Sequence, residues 1–538
     1  MFIGYVSDEM HVAIADAQVE FRRGDEAVEA RSSASGAVRA EVEAGHWSVV
    51  LTAPGHGRKA IEMDIAPDME PYRFRLLSDR LLGYCWPKWS RGGDRVELRV
   101  HSPEPYFATI WRYGWTREKV GDIGRFESFG PGGDRQMLPD GDFTVTGVDW
   151  NNHGRRFPAD DRSFIDAPTR QGLYYIHVDG ERSGAGFSFP LIVAPPEPTS
   201  HMAVLLSNLD WNAYNDFGGR SNYVASPGLQ VEPVVNPHQD GPFLRDTGAR
   251  FWDRDDYDPL SLDRPEPVNR VEHCTQITDI MQRVGEEHVA PASWRLLGWL
   301  EREGLAHDVY AETQFHEGVL DLANYRLLVL DQHPEYWSRK MFLRLKQWVF
   351  EEGGRLAYLG GNGLHCEVEI DGDAVVHRNT DLSDWLPTRT YLNEPGSRVP
   401  SRMGRRVENQ AAILGTATTL TGMDTGGAPY RVLDDDHPAF EGTGLRVGDT
   451  FGEGWLDARV MGGASGHETD KMNEFTPPGT RLLAKGTNPN EGGAELVTFT
   501  TDSGGEVFST SSISWICSLP IDDGVSRVTA NALRYLVR

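Results

Sequence analysis

The sequence predicts two β-sandwich domains followed by a parallel-sheet α/β domain. Three observations carry the prediction. Short alternating strands punctuated by glycine and proline fill the first 196 residues. The stiff segment Ala194-Pro195-Pro196-Glu197-Pro198 then breaks the chain. Beyond it, apolar strand-like runs alternate with helical patterns, which is the signature of βαβ units.

The division that follows is residues 1–78, 79–196 and 197–538. In the first, Val19-Glu20-Phe21 and Trp47 to Leu51 read as strands, and Ala34-Ser35-Gly36, Ala44-Gly45-His46-Trp47 and Ala53-Pro54-Gly55-His56 punctuate them. The pattern resembles the small prealbumin-like or carboxypeptidase-regulatory-like sandwich, a module that packs or binds and rarely catalyses. In the second, Arg95 to His101 alternates cleanly, and Leu173 to Val178 and Phe187 to Val193 are further strands. Trp111, Trp115 and Trp150 are read as core residues of a second sandwich and not as a sugar platform.

In the third, Met202 to Leu206, Leu327 to Leu330 and Leu356 to Leu359 read as strands buried on both faces. Helices are expected over Ile277 to Val284, over Ser293 to Glu303 with Gly304 beyond its end, from Ser338 as N-cap to Glu352, and over Val525 to Leu536. Ile370 to Asp381 suggests a hairpin insertion, and Leu496 to Thr500 and Val507 to Ser509 are late strands.

Composition excludes some partners. Lys and Arg number 53 against 80 Asp and Glu, a net charge of −27, which opposes binding to nucleic acid or an anionic membrane. No apolar stretch approaches the ~20 residues of a membrane span. The four cysteines are far apart and form no Cys-x-x-Cys pair, so a cysteine zinc site is not expected. The start Met1-Phe2-Ile3-Gly4-Tyr5 lacks the pattern of a signal peptide, and a cytoplasmic location with free thiols is expected.

Function is sought where the strands end. Tyr214 follows the first strand, His333 and Glu335 the second, and Gly360-Gly361-Asn362 the third. In an open parallel sheet these C-terminal ends lie along one edge, where ligands bind. Each piece has a bland alternative: Tyr214 as a half-buried aromatic, Glu335 as a helper of the helix cap near Ser338, the glycines as a tight turn, and Gly466-His467-Glu468-Thr469-Asp470 as a solvated loop.

The segments Trp211 to Arg220, His333 to Trp337, Gly360 to Asn362, Gly466 to Asp470 and Ser512 to Trp515 carry a further resemblance. In this order they resemble the large subunit of N,N-dimethylformamidase and its relatives, over roughly residues 80–538. The α/β region also resembles a glutamine-amidotransferase-like, flavodoxin-like fold. Gly-Gly-Asn stands where that fold places its nucleophile elbow, which argues against cysteine chemistry at the neighbouring Cys366.

The dimethylformamidase resemblance implies hydrolysis of a small N-substituted amide with one ferric ion held by two tyrosines and a glutamate. On the matched segments Tyr214 and Glu335 are two of the ligands. Tyr257 is the third, with Tyr223 as the fallback, and His333, Asn362 and Glu468 line the pocket. It further implies a homo-oligomer, with or without a small accessory subunit. The rival reading is a carbohydrate- or ligand-binding protein with an inactive α/β domain. A third is a hydrolase of another small C–N compound.

Overall fold

Strand-forming segments dominate the computed structural model from the first residues onward. It describes residues 1–127, 135–150, 164–225, 228–235, 257–280, 288–377, 402–423 and 425–538. Phe2–Ser7 pairs with Ala37–Ala40 and Tyr72–Arg75, and a second sheet runs Glu26–Arg31, Gln18–Arg23, Gly45–Thr52, Lys59–Ile65. Along Gly45–Thr52 burial alternates, so Trp47, Val49 and Leu51 face the core with Phe2, Phe21 and Phe74. The next segment has sheets of three and five strands around Tyr84, Leu98, Ile176 and Phe189. Trp150 is fully buried there, whereas Trp111 and Trp115 are partly buried and pack against a separate core around Leu205, Trp294 and Leu328, so of the three only Trp150 is a core residue of the second sandwich.

The largest sheet has nine strands. Asp308–Ala311, Met202–Leu206, Leu327–Leu330, Arg355–Tyr358 and Glu506–Ser509 lie side by side in parallel. The sheet then continues antiparallel through Glu495–Thr500, Arg481–Gly486, Tyr430–Val432 and Thr450–Phe451. This overturns the expected glutamine-amidotransferase-like, flavodoxin-like parallel-sheet domain. The sheet is mixed. Among the described residues only Ala290–Arg302, Arg339–Glu351 and Asp523–Leu536 are helices longer than ten residues, too few for a doubly wound α/β domain in a strand-rich chain. The sequence reading extended three strand–helix alternations to the whole region, whereas Glu495–Thr500 and Glu506–Ser509 form an antiparallel pair that turns the sheet over.

Local signals held where they were strongest. Ser338 caps Arg339–Glu351 by accepting from the backbone N–H of Met341, so capping does not occupy Glu335. Gly304 lies just beyond Ala290–Arg302 with φ +65°. Ile277 to Ile280 is a turn, and the rest of the helix expected there falls outside the described residues. The insertion is a hairpin of Cys366–Asp371 and Ala374–His377, whose expected continuation also lies outside them. Among the described residues no helix is long and apolar enough to cross a membrane.

His11 ties the N-terminal strands to the segment around Gln230. Its Nε2 lies 3.1 Å from the Gln230 carbonyl and its Nδ1 3.3 Å from Ser7 Oγ. Nε2 donating and Nδ1 accepting is the neutral tautomer. Burial, aided by the positive Arg75, holds its pKa down at about 3. Between about pH 6.5 and 3 the unfolded chain therefore binds a proton that the native chain does not, so stability is full above pH 6.5 and is lost as the pH falls below it. Lowering the pH from 7 to 5 is expected to cost about 2 kcal/mol through this one residue. Urea unfolding followed at both pH values checks this: His11→Asn should flatten the pH dependence, and an unchanged slope would remove His11 as its source.

Candidate active site at the strand ends

Leu327–Leu330 is paired on both sides and has no exposed residue. Its chain runs out into Asp331-Gln332-His333-Pro334-Glu335, and the following residues are pinned by backbone bonds. The Glu335 carbonyl accepts from the N–H of His365 (3.1 Å) and of Cys366 (2.9 Å), and Tyr336–Trp337 pairs in parallel with Cys366–Glu367. Glu335 is thereby held over the sheet edge. Asp331 turns back toward the neighbouring strand: it accepts from the Ser207 backbone N–H (3.1 Å) and from the hydroxyls of Ser207 and Ser293.

After Met202–Leu206 the chain forms a short helix, Asn208–Tyr214. Asp210 and Tyr214 are four residues apart and share one face of it. The Tyr214 ring lies 6.2 Å from that of His333 and 4.4 Å from that of Tyr223. Tyr223 donates its phenol proton to Glu335 Oε2 at 3.1 Å and lies 2.6 Å from the Tyr336 hydroxyl, which accepts from Asn222 at 2.8 Å. Tyr257 is also buried, at the head of the segment leading into Leu260–Ser261.

The third strand end supplies the glycine turn. A Cβ on Gly360 would meet the Gln332 carbonyl at 2.3 Å, and one on Gly361 would meet the Glu468 carbonyl at the same distance. Close approach of backbone, not positive φ, is what these two positions require. Asn362 follows with φ +54°. Its backbone N–H donates to Asp470 Oδ1 (3.0 Å) and its side-chain oxygen accepts from Thr418 (2.6 Å), which leaves the amide –NH2 as its donor edge. Leu364, His467 and Ser511 are also left-handed, so four strained non-glycine residues lie on the segments that build this edge.

His333 is the centre. It has no exposed surface, and its Nδ1 is 3.5 Å from Asp210. Its Nε2 is 3.2 Å from Glu468 and 3.4 Å from Glu335. None of these contacts has hydrogen-bond geometry, so both ring nitrogens, both Asp210 oxygens and Glu468 Oε2 are buried without a hydrogen bond. His288 adds a ring 4.1 Å from Tyr214 and 5.3 Å from His333, and stands 5.4 Å from His467.

The electrostatics follow from burial. Burial depresses His333, but the carboxylates of Asp210, Glu468 and Glu335 outweigh it and raise its pKa to about 10. Burial would raise Glu468, but the His333 ring holds it down at about 2. Glu335 is raised by burial against the opposing pull of His333, and the phenols of Tyr214 and Tyr223 are pushed far up by burial and by Glu335. An excess of buried acids over bases around orphaned polar atoms is what a cation would relieve. Phenol and carboxylate oxygens form a hard donor set that suits a ferric ion. The donor atoms of Asp210, His333 and Glu335 all lie within 4.8 Å of one another.

Sequence reading placed Tyr214, His333, Glu335, Asn362 and Glu468 on this edge, and the structure brings them there. Tyr223, held as the fallback, is the tyrosine bonded to Glu335. Asp210, His288 and Tyr336 were missed as site residues. The i, i+4 spacing of Asp210 and Tyr214 was a readable signal for the first, and nothing local marked the other two. Cys366 lies beside the site, with its sulfur 2.8 Å from Arg402 Nη1.

Asp470 locks the loops together by accepting from the Asn362 N–H and from the hydroxyls of Tyr358 (2.9 Å) and Thr418 (2.9 Å). Asp470→Ala strands two buried donors, the Asn362 N–H and the Tyr358 hydroxyl, while Thr418 keeps the Asn362 side-chain oxygen, and should cost about 2 kcal/mol or more, whereas Asp470→Asn, which keeps an acceptor, should cost less. Chemical denaturation of the two variants measures the difference, and equal small losses would show that the loops are held by other contacts.

Comparison with known proteins places these residues in a family. Residues 110–529 match the family model described as N,N-dimethylformamidase beta subunit-like, C-terminal. The chain is 26% identical over 484 residues to the N,N-dimethylformamidase beta subunit of Paracoccus aminophilus, covering 76% of this chain and 61% of that one. To the N,N-dimethylformamidase beta subunit of an Alcaligenes species it is 25% identical over 468 residues, covering 73% and 59%. The chain thus spans about six tenths of the length of these relatives. A solved structure it resembles, the major pilin subunit of Bacillus cereus, is 8% identical over 39% of this chain and 73% of that one, with a TM-score of 0.15, and carries no argument. With the family model matching most of its length, the chain belongs to the N,N-dimethylformamidase beta subunit-like family.

Proposed function

We propose that this chain is an iron-dependent amidohydrolase that cleaves the C–N bond of a small N-substituted amide, such as an N-alkylformamide, to acid and amine. The observation that supports it most is the convergence of Tyr214, Tyr223, Glu335, His333 and Glu468 on one buried sheet edge in a chain of this family. Tyr214, Tyr257 and Glu335 would hold a single ferric ion, with Tyr223 the alternative to Tyr257. When bound, the ion supplies Lewis acidity toward an amide carbonyl and toward water.

The chain's own groups do the rest. The buried walls exclude bulk water and strengthen each charge interaction. Glu468, held ionised by the charged His333 ring, is placed to accept a proton from the attacking water. His333 presents its charged Nε2 between Glu335 and Glu468, gives a proton to the departing amine nitrogen, without which an amine is a poor leaving group, and is recharged by the proton that Glu468 took from water. The –NH2 of Asn362 donates to the carbonyl oxygen as negative charge grows on it, an effect worth roughly 2.7–4 kcal/mol at a comparable donor in subtilisin. As members of a family named for a subunit, copies of this chain are taken to work as a homo-oligomer, with or without a small accessory subunit, in the cytoplasm.

Purified protein should carry about one iron per chain, the count set by one Tyr/Glu ligand set, and show a phenolate-to-iron charge-transfer band. Glu335→Ala should lose both iron and turnover while staying folded by circular dichroism. Whichever of Tyr257→Phe and Tyr223→Phe abolishes the band identifies the second phenolate. A colourless, iron-free, fully active protein would sink the assignment.

His333→Ala and Glu468→Gln should each keep iron yet lose most of kcat, because loss of rate with intact metal marks a transition-state role. Steady-state kinetics beside metal analysis decides this. Loss of iron in either variant would make that residue a ligand, and near-parental turnover in both would return the Gly466–Asp470 loop to the solvated turn its composition suggests.

A further inference from the structure

We propose that Asp210 is the positioning residue of the site: its buried carboxylate holds the Nδ1 side of the His333 ring and so turns Nε2 toward Glu335 and Glu468. The inference rests on the reading of His333 as the proton carrier and adds the group that aims it.

Four observations carry it. Asp210 has no exposed surface, and neither carboxylate oxygen takes part in a hydrogen bond. A carboxylate in that position is costly unless a cationic or donor group faces it, and the His333 ring faces it with Nδ1 3.5 Å away. The neighbouring buried acids are otherwise engaged: Asp331 accepts from Ser207 and Ser293, and Glu312 accepts from Trp337 Nε1 (2.6 Å) and the Leu209 N–H (3.2 Å). Of these three, Asp210 alone keeps both oxygens for the ring. Finally, Asp210 shares one face of the helix Asn208–Tyr214 with Tyr214, so a single short helix sets both the phenol and the carboxylate against His333.

A proton held on Nδ1 toward a carboxylate leaves Nε2 as the nitrogen that exchanges protons with the substrate. A carboxylate in this role does not itself take up the proton. It fixes the ring's tautomer and steadies the charged ring.

The test uses the full-length chain as purified, with iron measured in every sample. Asp210→Asn should fold, keep the parental iron content and a KM within about twofold, and lose kcat by roughly a hundredfold, the lower end of what a positioned acid–base group supplies. Asp210→Asn combined with His333→Ala should be no slower than His333→Ala alone, because two residues acting as a unit do not lose rate additively. Asp210→Glu keeps the charge and should retain more turnover than Asp210→Asn, which also decides the matter if the asparagine variant does not fold. Independently of turnover, His333→Ala should lower the urea midpoint by stranding the Asp210 charge, and adding Asp210→Asn to it should raise the midpoint again. Parental kcat in Asp210→Asn, additive losses in the double variant, equal losses in the Asn and Glu variants, or loss of iron on changing Asp210 would each overturn the proposal. A parent chain that hydrolyses no small amide would refute the proposed function instead. The urea midpoints alone would then decide the pairing, and additive midpoints would end it.

Discussion

Three carboxylates converge on one imidazole that has no contact with solvent, and the rest of the site is arranged around that imbalance. Asp210, Glu335 and Glu468 each approach His333 within 3.2–3.5 Å, yet the ring has two nitrogens to share among them. Removing such charges from water costs several kcal/mol per ion in real proteins, and attraction to one ring does not repay it for all three. The surplus needs a rigid frame that cannot relax by letting water in. The parallel strands supply it: Leu327 to Leu330 are wholly buried and paired on both edges, so the segment that carries His333 and Glu335 cannot drift away from Met202–Leu206 or Arg355–Tyr358.

The same constraint explains what was legible in the sequence. Leu327-Leu328-Val329-Leu330 followed by Asp331 and Pro334 reads as a two-face-buried strand with a polar exit because burial on both faces leaves no room for alternation. That logic located Tyr214, His333, Glu335 and Asn362 without any knowledge of neighbours. Glu468 was found by likeness of segment and not by physics, since its loop reaches the edge only through the contact of its carbonyl with Gly361 and the bond between Asp470 and Ser511.

What the sequence hid was whatever depended on partners distant in the chain. The antiparallel half of the nine-stranded sheet consists of short strands whose pairing is set by register with one another, not by periodicity, and the local alternation of strand and helix suggested a parallel domain that the topology does not contain. His288 precedes a helix that reads as ordinary, and only the fold sets its ring between Tyr214 and His467. Tyr336 looks like half of a short strand, yet its hydroxyl links Asn222 and Tyr223 to the site. The bond from Tyr223 to Glu335 sets the fallback tyrosine beside the glutamate, while Tyr257 is buried at the head of the segment leading into Leu260–Ser261.

The glycines and the left-handed residues complete the argument. A side chain at Gly360 or Gly361 would push apart the segments that carry His333 and Glu468, the two groups that must share a proton path. Strain at Asn362, Leu364, His467 and Ser511 works in the same direction: each costs on the order of 1 kcal/mol and persists only where the surroundings over-determine the backbone. Asp470 provides that determination through its bonds to Asn362, Thr418 and Tyr358. Polar groups that stabilise little by themselves thus hold the edge rigid. A rigid edge is what allows carboxylates and phenols to remain close together with their oxygens directed inward, in the arrangement that a hard cation and a small amide would complete.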